Sequence, residues 1–286
     1  MIAEPAKLEL PHLLVERAVI AALEEDLGHA GDITTDPIIP PHATAEAEIV
    51  AHKAGVIAGL DLAAASFKAL DPDAQFIADV ADGAHVAAGA RLAGVQGKAR
   101  AILSAERVAL NYLGHLSGIA TLTAAYVAAI EGTKARIACT RKTTPGLRAF
   151  EKYAVRAGGG INHRFGLYDA VLVKDNHIAA AGGLAQALAK LRARIRHLVK
   201  VEVEVDTLHQ LDEALRFPID AVLLDNMDAA TLKKAVATVD GRVLTEASGG
   251  VNLQTVRKIA ETGVDLISVG VLTHSAPRLD LALEWR

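Results

Sequence analysis

The sequence is poor in cysteine and aromatic residues, and each shortage excludes a class of protein. Cys139 is the only cysteine among 286 residues, so the chain cannot form an internal disulfide framework. Aromatic residues make up 3% of the chain, whereas hydrophobic residues make up 51%. We therefore expect a large core of Ala, Val, Leu and Ile, which is typical of an α/β protein and excludes a disordered chain.

Membrane and nucleic-acid binding are also disfavoured by what the sequence lacks. No uncharged apolar run reaches the roughly 18 residues of a transmembrane helix, and the N-terminal apolar stretch contains acids, unlike a signal peptide. The formal net charge of −4 argues against a nucleic-acid-binding protein. No metal-ligand motif of the CxxC or HExxH kind is present. With the single cysteine, these features favour a cytoplasmic protein.

The first part of the chain predicts a mixed α and β domain, which we assign to residues 1–112. Helical periodicity runs from Leu13 to Leu27 and returns after residue 101. Short runs broken by Gly and Asp predict antiparallel strands around a helix near residues 60–70. These predicted strands lie at 45–50, 74–80 and 84–95. The C-terminal tail, 276–286, is a candidate addition to the same domain.

From residue 133 onward, apolar strand-like runs alternate with helical patterns. The predicted strands are 135–139, 170–173, 199–205, 221–224, 243–247 and 266–269. The helical patterns between them are 184–195, 207–215, 230–239 and 253–261. Continuous apolar strands joined by helices are typical of a parallel sheet that is buried on both faces. We therefore predict a parallel β/α catalytic domain over residues 113–275.

Polar, charged or glycine residues follow these strands where the apolar runs stop. They are Thr140, Arg141, Lys142, Lys174, Glu204, Asp225, Ser248, Gly249, Gly250 and Gly270. Because the active site of a β/α barrel is built from the carboxyl ends of its strands, we expect these residues on one rim. Many strands end in polar residues without any function. That alternative does not explain why cations, carboxylates and glycine turns occur together.

Residues 141–177 form a basic segment within an acidic chain. Seven Lys and Arg residues against three acids give the segment a charge of +4, which leaves −8 for the remainder of the chain. Such a segment predicts a ligand with several negative charges, since Arg and Lys pair with carboxylates and phosphates. Arg148, Lys152 and Arg156 are spaced by four residues and fit the exposed face of a helix equally well.

Two glycine-containing segments extend the candidate site. The run 158–164 ends in His163 and Arg164, and its glycines permit a close approach of backbone to ligand, although a lone histidine is as often structural. The turn 248–250 follows a strand and precedes a predicted helix, an arrangement that favours phosphate binding. Residues 270–274 could form the other half of the same phosphate site.

Two acids lie on one side of the predicted strand 201–205. Alternation along the strand points Glu202 and Glu204 in the same direction. Inward-facing acids need cations or hydroxyls as partners, and a ribose with Mg²⁺ would satisfy them. A simpler alternative is an ion pair with Lys174 or Lys200.

Long segments of the sequence resemble quinolinate phosphoribosyltransferases. The longest is TRKTTPGLRAFEKYAVRAGGGINHRFGLYDAVLVKDNHI, residues 140–178, and others agree in order and spacing: Glu24–Thr35, Ala105–Thr121, Val201–Leu208, Leu223–Asn226 and Glu246–Val251. The resemblance spans nearly the whole chain. It departs at Cys139, where the family usually has Asp; we expect a buried thiol there, and the orientation of the neighbouring Arg or Lys is put in doubt.

The resemblance implies a fold, a reaction and an assembly. The fold is an incomplete parallel β/α barrel of six or seven strands with an N-terminal α+β open-sheet domain. The reaction joins quinolinate to phosphoribosyl pyrophosphate with Mg²⁺ and yields nicotinate mononucleotide for NAD synthesis, pyrophosphate and CO₂. The assembly is a homodimer with shared active sites, or a larger oligomer.

The resemblance also implies roles for individual residues. Lys142, Lys174, Glu204 and Asp225 are expected at the reacting centre, where the two acids hold the ribose and, through water, Mg²⁺. Arg107 is expected to reach the site from the partner subunit. The remaining substrate contacts are expected from Thr140, Arg141, His163, Arg164, Ser248, Gly249, Gly250, Val269, Gly270, Val271 and His274.

Three other functions remain open at this point. An enzyme of the same architecture could act on nicotinate, or belong to a branch linked to molybdenum transport, although Arg141 and Arg164 favour a dicarboxylate. A non-catalytic sensor of the phosphosugar would not require the complete set of lysines and acids. An aldolase-type barrel would use Lys142 or Lys174 as a Schiff base, which borohydride would trap.

Overall fold

A computed structural model describes residues 8–286, and the chain divides into two compact units. The first unit extends to Ala124 and also includes Ala149–Gly159 and Ser275–Arg286. The second comprises Ala125–Arg148 and Gly160–His274. The boundary expected after residue 112 falls inside one continuous helix, so a domain division at that position stays a prediction.

The secondary structure follows the predicted succession of elements. Up to residue 129 the elements are α1 (His12–Leu27), α2 (Thr35–Ile38), β1 (Thr44–Ala51), β2 (Gly55–Val56), α3 (Leu60–Leu70), β3 (Gln75–Ala78), β4 (His85–Val86), β5 (Arg91–Lys98) and α4 (Ala99–Ala129). The next are β6 (Arg136–Ala138), α5 (Arg148–Ala157), β7 (Val171–Val173), α6 (Asp175–Ala181), α7 (Leu184–Arg192), β8 (Val201–Val205) and α8 (Leu208–Ala214). The last are β9 (Ala221–Asp225), α9 (Ala229–Val239), β10 (Leu244–Ser248), α10 (Val256–Ala260), β11 (Leu266–Ser268), α11 (Val271–His274) and β12 (Leu281–Trp285).

The first unit is built on a four-stranded antiparallel sheet with strand order β12-β1-β5-β3. Alternate residues of β1, including Ile49, are buried in a core that also contains Phe67 of α3. From α4 the core receives Ile102, Ala105, Ala109 and Leu113, whose spacing of three and four residues defines one face of a helix. An apolar helix face thus covers one face of the sheet.

The predicted strand 84–95 is wrong as a single element. It is divided into β4, which pairs with β2, and β5, which pairs with β1 and β3. Gly89 lies between the two strands with φ of +81°, and its N–H donates to the Ala51 carbonyl over 2.7 Å. A positive φ at glycine turns the chain without steric cost, and here it ends one strand before the next begins.

The second unit contains a parallel six-stranded sheet with strand order β6-β11-β10-β9-β8-β7. Every neighbouring pair runs in the same direction. Strands β6 and β7 are the two edges, so the six strands form the predicted incomplete β/α barrel rather than a closed one. The consecutive residues Val222, Leu223 and Leu224 of β9 are at most 5% exposed, as expected for a strand that is covered on both faces.

Local side chains begin two of the helices that follow barrel strands. Thr207 and Gln210 form a capping box at the start of α8. The Asp228 carboxylate accepts the Thr231 N–H at 2.7 Å at the start of α9. The predicted helix 253–261 is shorter, because Asn252 Oδ1 accepts two backbone N–H groups in a turn and α10 begins only at Val256.

The alternative of an exposed basic face on α5 does not hold at its central residue. Lys152 is 1% exposed and Glu151 is fully buried, whereas Arg156 is exposed. Glu151 Oε1 lies 3.0 Å from His115 Nε2. Nearly every side of α5 is covered, so the spacing of four residues does not mark a solvent-facing stripe.

Within residues 8–286, no helix combines the length and the apolar character that crossing a bilayer requires.

Candidate active site

Residues at the carboxyl ends of all six barrel strands line a cavity of about 630 Å³. Most of the predicted site residues lie in this lining. They are Thr140, Arg141, Lys142, His163, Arg164, Lys174, Glu204, Asp225, Ser248, Gly249, Gly250, Gly270, Val271 and His274. The parallel topology brings them together, because it places every strand's carboxyl end on the same edge of the sheet.

Two predicted residues, Arg107 and Val269, are not among those that line the cavity. Arg107 belongs to α4 in the first unit; its side chain is 65% exposed and lies 3.7 Å from Glu106. Val269 is fully buried, and its N–H donates to the Ala138 carbonyl over 2.9 Å. The roles predicted for both residues therefore rest on the family resemblance alone.

Lys174 and Glu204 form an ion pair in the cavity lining. Lys174 directly follows β7, and Glu204 lies in the adjacent parallel strand β8. Lys174 Nζ donates a hydrogen bond to Glu204 Oε2. The Lys174 side chain is 44% exposed and Glu204 only 16%. The ion pair with Lys174 that was expected as an alternative for Glu204 is thus formed. It lies at the rim of the cavity, where a ligand can contact both charges.

The ends of β9 and β10 meet in a tight arrangement around Asn226. Its side-chain amide donates to Asp225 Oδ2 at 2.6 Å, and its backbone has φ of +53°. Gly249 has φ of +96°, and a Cβ there would come within 2.1 Å of Asn226 Oδ1. Only glycine satisfies both the backbone angle and the space. The following Gly250 also has positive φ, so backbone rather than side chains faces this part of the cavity.

The loop after β6 is tied to the segment after β11. The Thr273 hydroxyl donates to the Lys142 carbonyl over 2.8 Å, and the Lys142 N–H donates to Thr140 Oγ1 over 3.1 Å. A Cβ on Gly270 would lie 3.3 Å from Lys142 Cδ, so the aliphatic stem of this lysine runs close to the glycine. These contacts hold Lys142 on the rim without a side chain at position 270.

Arg141 and Arg164 place two guanidinium groups in the same lining. Burial lowers the pKa of Arg164, and the positive charge of Arg141 lowers this pKa further. Arg164 also donates to the Ala170 carbonyl over 3.2 Å. Two cations held close enough to oppose one another favour an anionic ligand, whose charge would relieve the repulsion.

His163 is joined to two carboxylates, Glu202 and Glu246. Its Nε2 lies 2.9 Å from Glu202 Oε2 and 3.7 Å from Glu246 Oε1. Burial raises the pKa of Glu246 to about 7, and the charge of Glu202 contributes in the same direction, against the effect of His163. The three potential ligand atoms lie within 4.8 Å of one another. Because His163 Nε2 lies within hydrogen-bond distance of a carboxylate, we call the three residues the acid–base cluster.

Several lining residues escaped the sequence analysis, above all Glu246, Asn226 and Ser268. Glu246 is an acid inside the apolar run 243–247, and that interruption is a signal for an inward-facing functional group. Asn226 follows Asp225 directly. Conversely, Lys152 and Arg156 of the basic segment do not line this cavity among the described residues, so only part of that segment contributes to the site.

Comparison with known families agrees with this arrangement. Residues 119–284 match the family described as "Quinolinate phosphoribosyl transferase, C-terminal domain", and residues 32–117 match the corresponding N-terminal domain. The chain belongs to the quinolinate phosphoribosyltransferase family. Both family domains are present in order and together cover most of the chain.

Individual members of the quinolinate phosphoribosyltransferase family are similar over most of their length. Nicotinate-nucleotide pyrophosphorylase [carboxylating] of Mycobacterium leprae is 47% identical and aligns over 92% of this chain and 94% of its own. Quinolinate phosphoribosyltransferase [decarboxylating] 1b of Nicotiana tabacum is 43% identical over 92% and 80%. The structure of the Francisella tularensis nicotinate-nucleotide pyrophosphorylase has a TM-score of 0.93 at 38% identity, covering 99% of this chain and 100% of that chain.

The position at which the sequence departs from the family pattern lies in the barrel core. Cys139 is fully buried, as predicted, and its Sγ is 3.3 Å from Asn162 Oδ1. The carboxylates of Glu204 and Asp225 stand at the ends of the neighbouring strands β8 and β9. Oxygen donors on one rim fit the preference of Mg²⁺ for carboxylates and water, so these two residues fit a hydrated magnesium ion.

Proposed function

We propose that the protein transfers the phosphoribosyl group of phosphoribosyl pyrophosphate to quinolinate and removes one carboxylate as CO₂. The products are nicotinate mononucleotide and pyrophosphate, in the de novo synthesis of NAD. One observation carries the proposal: a single cavity combines four Arg and Lys side chains, three carboxylates and a glycine turn. The names of the relatives at 43% and 47% identity support it.

Substrate binding in this proposal depends on the cationic side chains. Arg141, Arg164 and His163 would bind the two carboxylates of quinolinate, and the turn 248–250 with Gly270 would bind the 5′-phosphate of the donor. A charge-assisted hydrogen bond contributes about 1.5–3 kcal/mol, so several are sufficient for the roughly 8 kcal/mol of micromolar binding. A ligand with one carboxylate would leave one of these half-buried cations without a partner.

Glycosyl transfer would use the two carboxylates at the strand ends. As pyrophosphate leaves, C1′ of the ribose becomes electron-deficient, and the charges of Glu204 and Asp225 stabilise it. Lys142 and Lys174 stand on the same rim to meet the leaving pyrophosphate. When bound, Mg²⁺ held through water by Glu204 and Asp225 supplies further neutralisation of that group. The pyridine nitrogen attacks as a free base, so the step requires no general base.

Decarboxylation would follow from the same binding geometry. Once its nitrogen is alkylated, the positive charge of the pyridinium stabilises the electron pair that stays on the adjacent C2 when the carboxylate departs. We propose that Lys142 or Lys174 supports this step by stabilising the negative charge of the reacting group. Two subunits would share each site, with Arg107 supplied by the partner, in a homodimer or a larger oligomer. A cytoplasmic location stays a prediction.

Product formation tests the proposed function directly. Protein, Mg²⁺ and phosphoribosyl pyrophosphate are incubated with either quinolinate or nicotinate, and nucleotide and CO₂ are measured together. We expect nucleotide and CO₂ in equal amounts from quinolinate only. Product from nicotinate would show that nicotinate, and not quinolinate, is the substrate. Absence of product from both would favour a non-catalytic sensor. Borohydride trapping of a lysine would favour an aldolase-type enzyme.

Lysine variants test the assignment of the reacting centre. Lys142→Ala and Lys174→Ala should each reduce turnover by about 100-fold or more, because each removes a charge that acts on the reacting groups. Lys190→Ala is the matched control, since this lysine lies on α7 outside the cavity lining. Turnover of both active-site variants within about threefold of wild type would contradict the assignment.

A further inference from the structure

A second cavity, of about 550 Å³, lies at the amino ends of the same barrel strands. We call it the lower cavity and the cavity at the carboxyl ends the upper cavity. His163, Arg164 and Glu246 line both cavities and therefore form the partition between them. Lys134 and Lys200, at the margin of the lower cavity, have side chains that are 59% and 78% exposed, so this cavity communicates with solvent.

The acid–base cluster lies within this partition. Glu202 lines the lower cavity and holds His163 Nε2, while Glu246 approaches the same nitrogen from β10. Glu246 is 2% exposed, and its Oε1 has no hydrogen-bond partner among residues 8–286. A buried carboxyl oxygen without a partner is costly unless the group has a function or carries a proton. Its raised pKa, which stems from burial, means that the proton is readily available near neutral pH.

The groups that face Glu246 come from several elements. Besides His163 and Glu202, they include the Ser268 hydroxyl of β11, which forms a hydrogen bond with the Glu246 carboxyl group. The other charged residues that line the lower cavity with it are Lys134, Arg164, Lys200, Asp220, Arg242 and Asp265. Lys134 pairs with Asp265 at 2.8 Å and Lys200 with Asp220 at 2.6 Å, so these charges are balanced at the margin.

The proposed function creates a demand for one proton, and the inference rests on that function. When the C2–carboxylate bond of the pyridinium breaks, CO₂ departs and its bonding electron pair stays on C2. The product has hydrogen at C2, so one proton must form a C–H bond with that pair. None of the roles assigned above to the upper cavity supplies this proton.

We propose that His163, Glu246 and Glu202 form a proton relay that connects the lower cavity to the reaction in the upper cavity. As CO₂ leaves, His163 donates its Nδ1 proton to C2 while Glu246 protonates Nε2, the ring nitrogen that faces Glu202 and Glu246. Solvent in the lower cavity then returns a proton to Glu246, and exchange with water restores the starting tautomer of His163. Each transfer moves one proton between named groups, and nothing is oxidised or reduced.

Replacement of Glu246 by glutamine tests the relay with little change of volume. Glu246→Gln should lower kcat for CO₂ release by roughly 100-fold or more, the contribution that is typical of general acid catalysis. The Kd for quinolinate, measured by calorimetry, should remain unchanged. Because the carbanion then persists, ¹³C from added CO₂ should enter the carboxylate of quenched, unreacted quinolinate nucleotide. Glu261→Gln, a 55% exposed acid paired with Arg257, is the matched control and should behave as wild type.

Two further measurements separate proton supply from packing. Glu246→Asp retains a carboxyl group and should therefore be faster than Glu246→Gln. If the loss of rate in Glu246→Gln came from a packing defect, the shorter carboxyl side chain would not restore it. In the wild-type protein, kcat should fall as pH rises through about 7, because Glu246 must carry a proton and its pKa is raised to that range. This limb should be absent in Glu246→Gln, and the wild-type profile remains informative even if that variant does not fold.

Specific outcomes would overturn the relay. They are an unchanged kcat without ¹³C exchange in Glu246→Gln, a loss confined to quinolinate affinity, or a stoichiometric metal ion in the purified protein that the substitution removes. Failure of the relay is distinguishable from failure of the proposed function. If the wild-type protein releases no CO₂ from quinolinate, the proposed function is wrong. If the wild-type protein releases CO₂ and Glu246→Gln releases it at the same rate, only the relay is wrong.

Discussion

Gly249 and Asn226 show how single residues shape the cavity where strands β9 and β10 end. Both have positive φ, +96° and +53°, a region that is open to glycine and tolerated by asparagine. Their proximity leaves no room for a side chain at position 249. The backbone of the turn therefore faces the cavity because residue 249 is glycine and residue 226 is asparagine, and not because a helix begins there.

Substitution of Gly249 tests this arrangement. Gly249→Ala should destabilise the protein by about 1–3 kcal/mol and weaken phosphoribosyl pyrophosphate binding, since its Cβ would meet Asn226 Oδ1 at 2.1 Å and displace it. Urea unfolding and calorimetric titration measure the two effects. Gly241→Ala is the control: it has φ of +69°, but no described heavy atom lies within 4 Å of the added Cβ. It should cost about 1 kcal/mol and leave binding intact. Equal binding losses in both variants would contradict the explanation.

At the scale of elements, Asp82 links α3 with α5 inside the first unit. Its carboxylate accepts the Gly59 N–H at 2.8 Å and the Leu60 N–H at 3.2 Å, where α3 begins. It also accepts the Tyr153 hydroxyl of α5 at 2.6 Å. Burial raises the pKa of Asp82, whereas these three donors favour its charged form. The start of one helix thus depends on a hydroxyl from another.

Removal of that hydroxyl tests the link. Tyr153→Phe should reduce the free energy of unfolding by about 1–3 kcal/mol, because a half-buried carboxylate loses one of its three hydrogen-bond donors. Chemical denaturation measures the loss. Tyr168→Phe removes an identical hydroxyl from a side chain that is 79% exposed, and it should change stability by less than about 0.5 kcal/mol. If the two variants were equally stable, Asp82 would not depend on Tyr153.

Element positions were largely predictable from the sequence, and the failures have a physical cause. Apolar periodicity reports which side of an element is covered, so it located α3 and all six barrel strands. It did not reveal that the run 84–95 divides at Gly89, because a single glycine is compatible with both a strand and a turn. Nor did it reveal the burial of Lys152, which depends on what surrounds α5 rather than on the helix itself.

At the scale of the whole molecule, the proposed sharing of active sites between subunits depends on Arg107. This side chain is 65% exposed, and its guanidinium pairs with Glu106, the preceding residue. An exposed guanidinium whose ion pair is local is well suited to act on a ligand held by another subunit, as the family resemblance implies.

Subunit mixing tests a shared site. Arg107→Ala and Lys142→Ala should each be inactive, but after subunit exchange about a quarter of wild-type activity should return, because half of the random dimers contain one intact site. Turnover of quinolinate is the measurement. Mixing Lys142→Ala with Lys174→Ala is the matched control and should restore nothing, since both lysines line the same cavity within one chain. Absence of recovery in the first mixture, after exchange is demonstrated, would contradict sharing.

The sequence alone determined the order of strands and helices and most of the cavity lining. It could do so because periodicity is local and parallel strands place all their carboxyl ends on one edge. Only the tertiary structure decided which groups meet there: the Lys174–Glu204 pair, the contact of Gly249 with Asn226, and Glu246 beside His163. These contacts join residues between about 20 and 80 positions apart. Their distances depend on the curvature and stagger of the sheet, which no local pattern encodes.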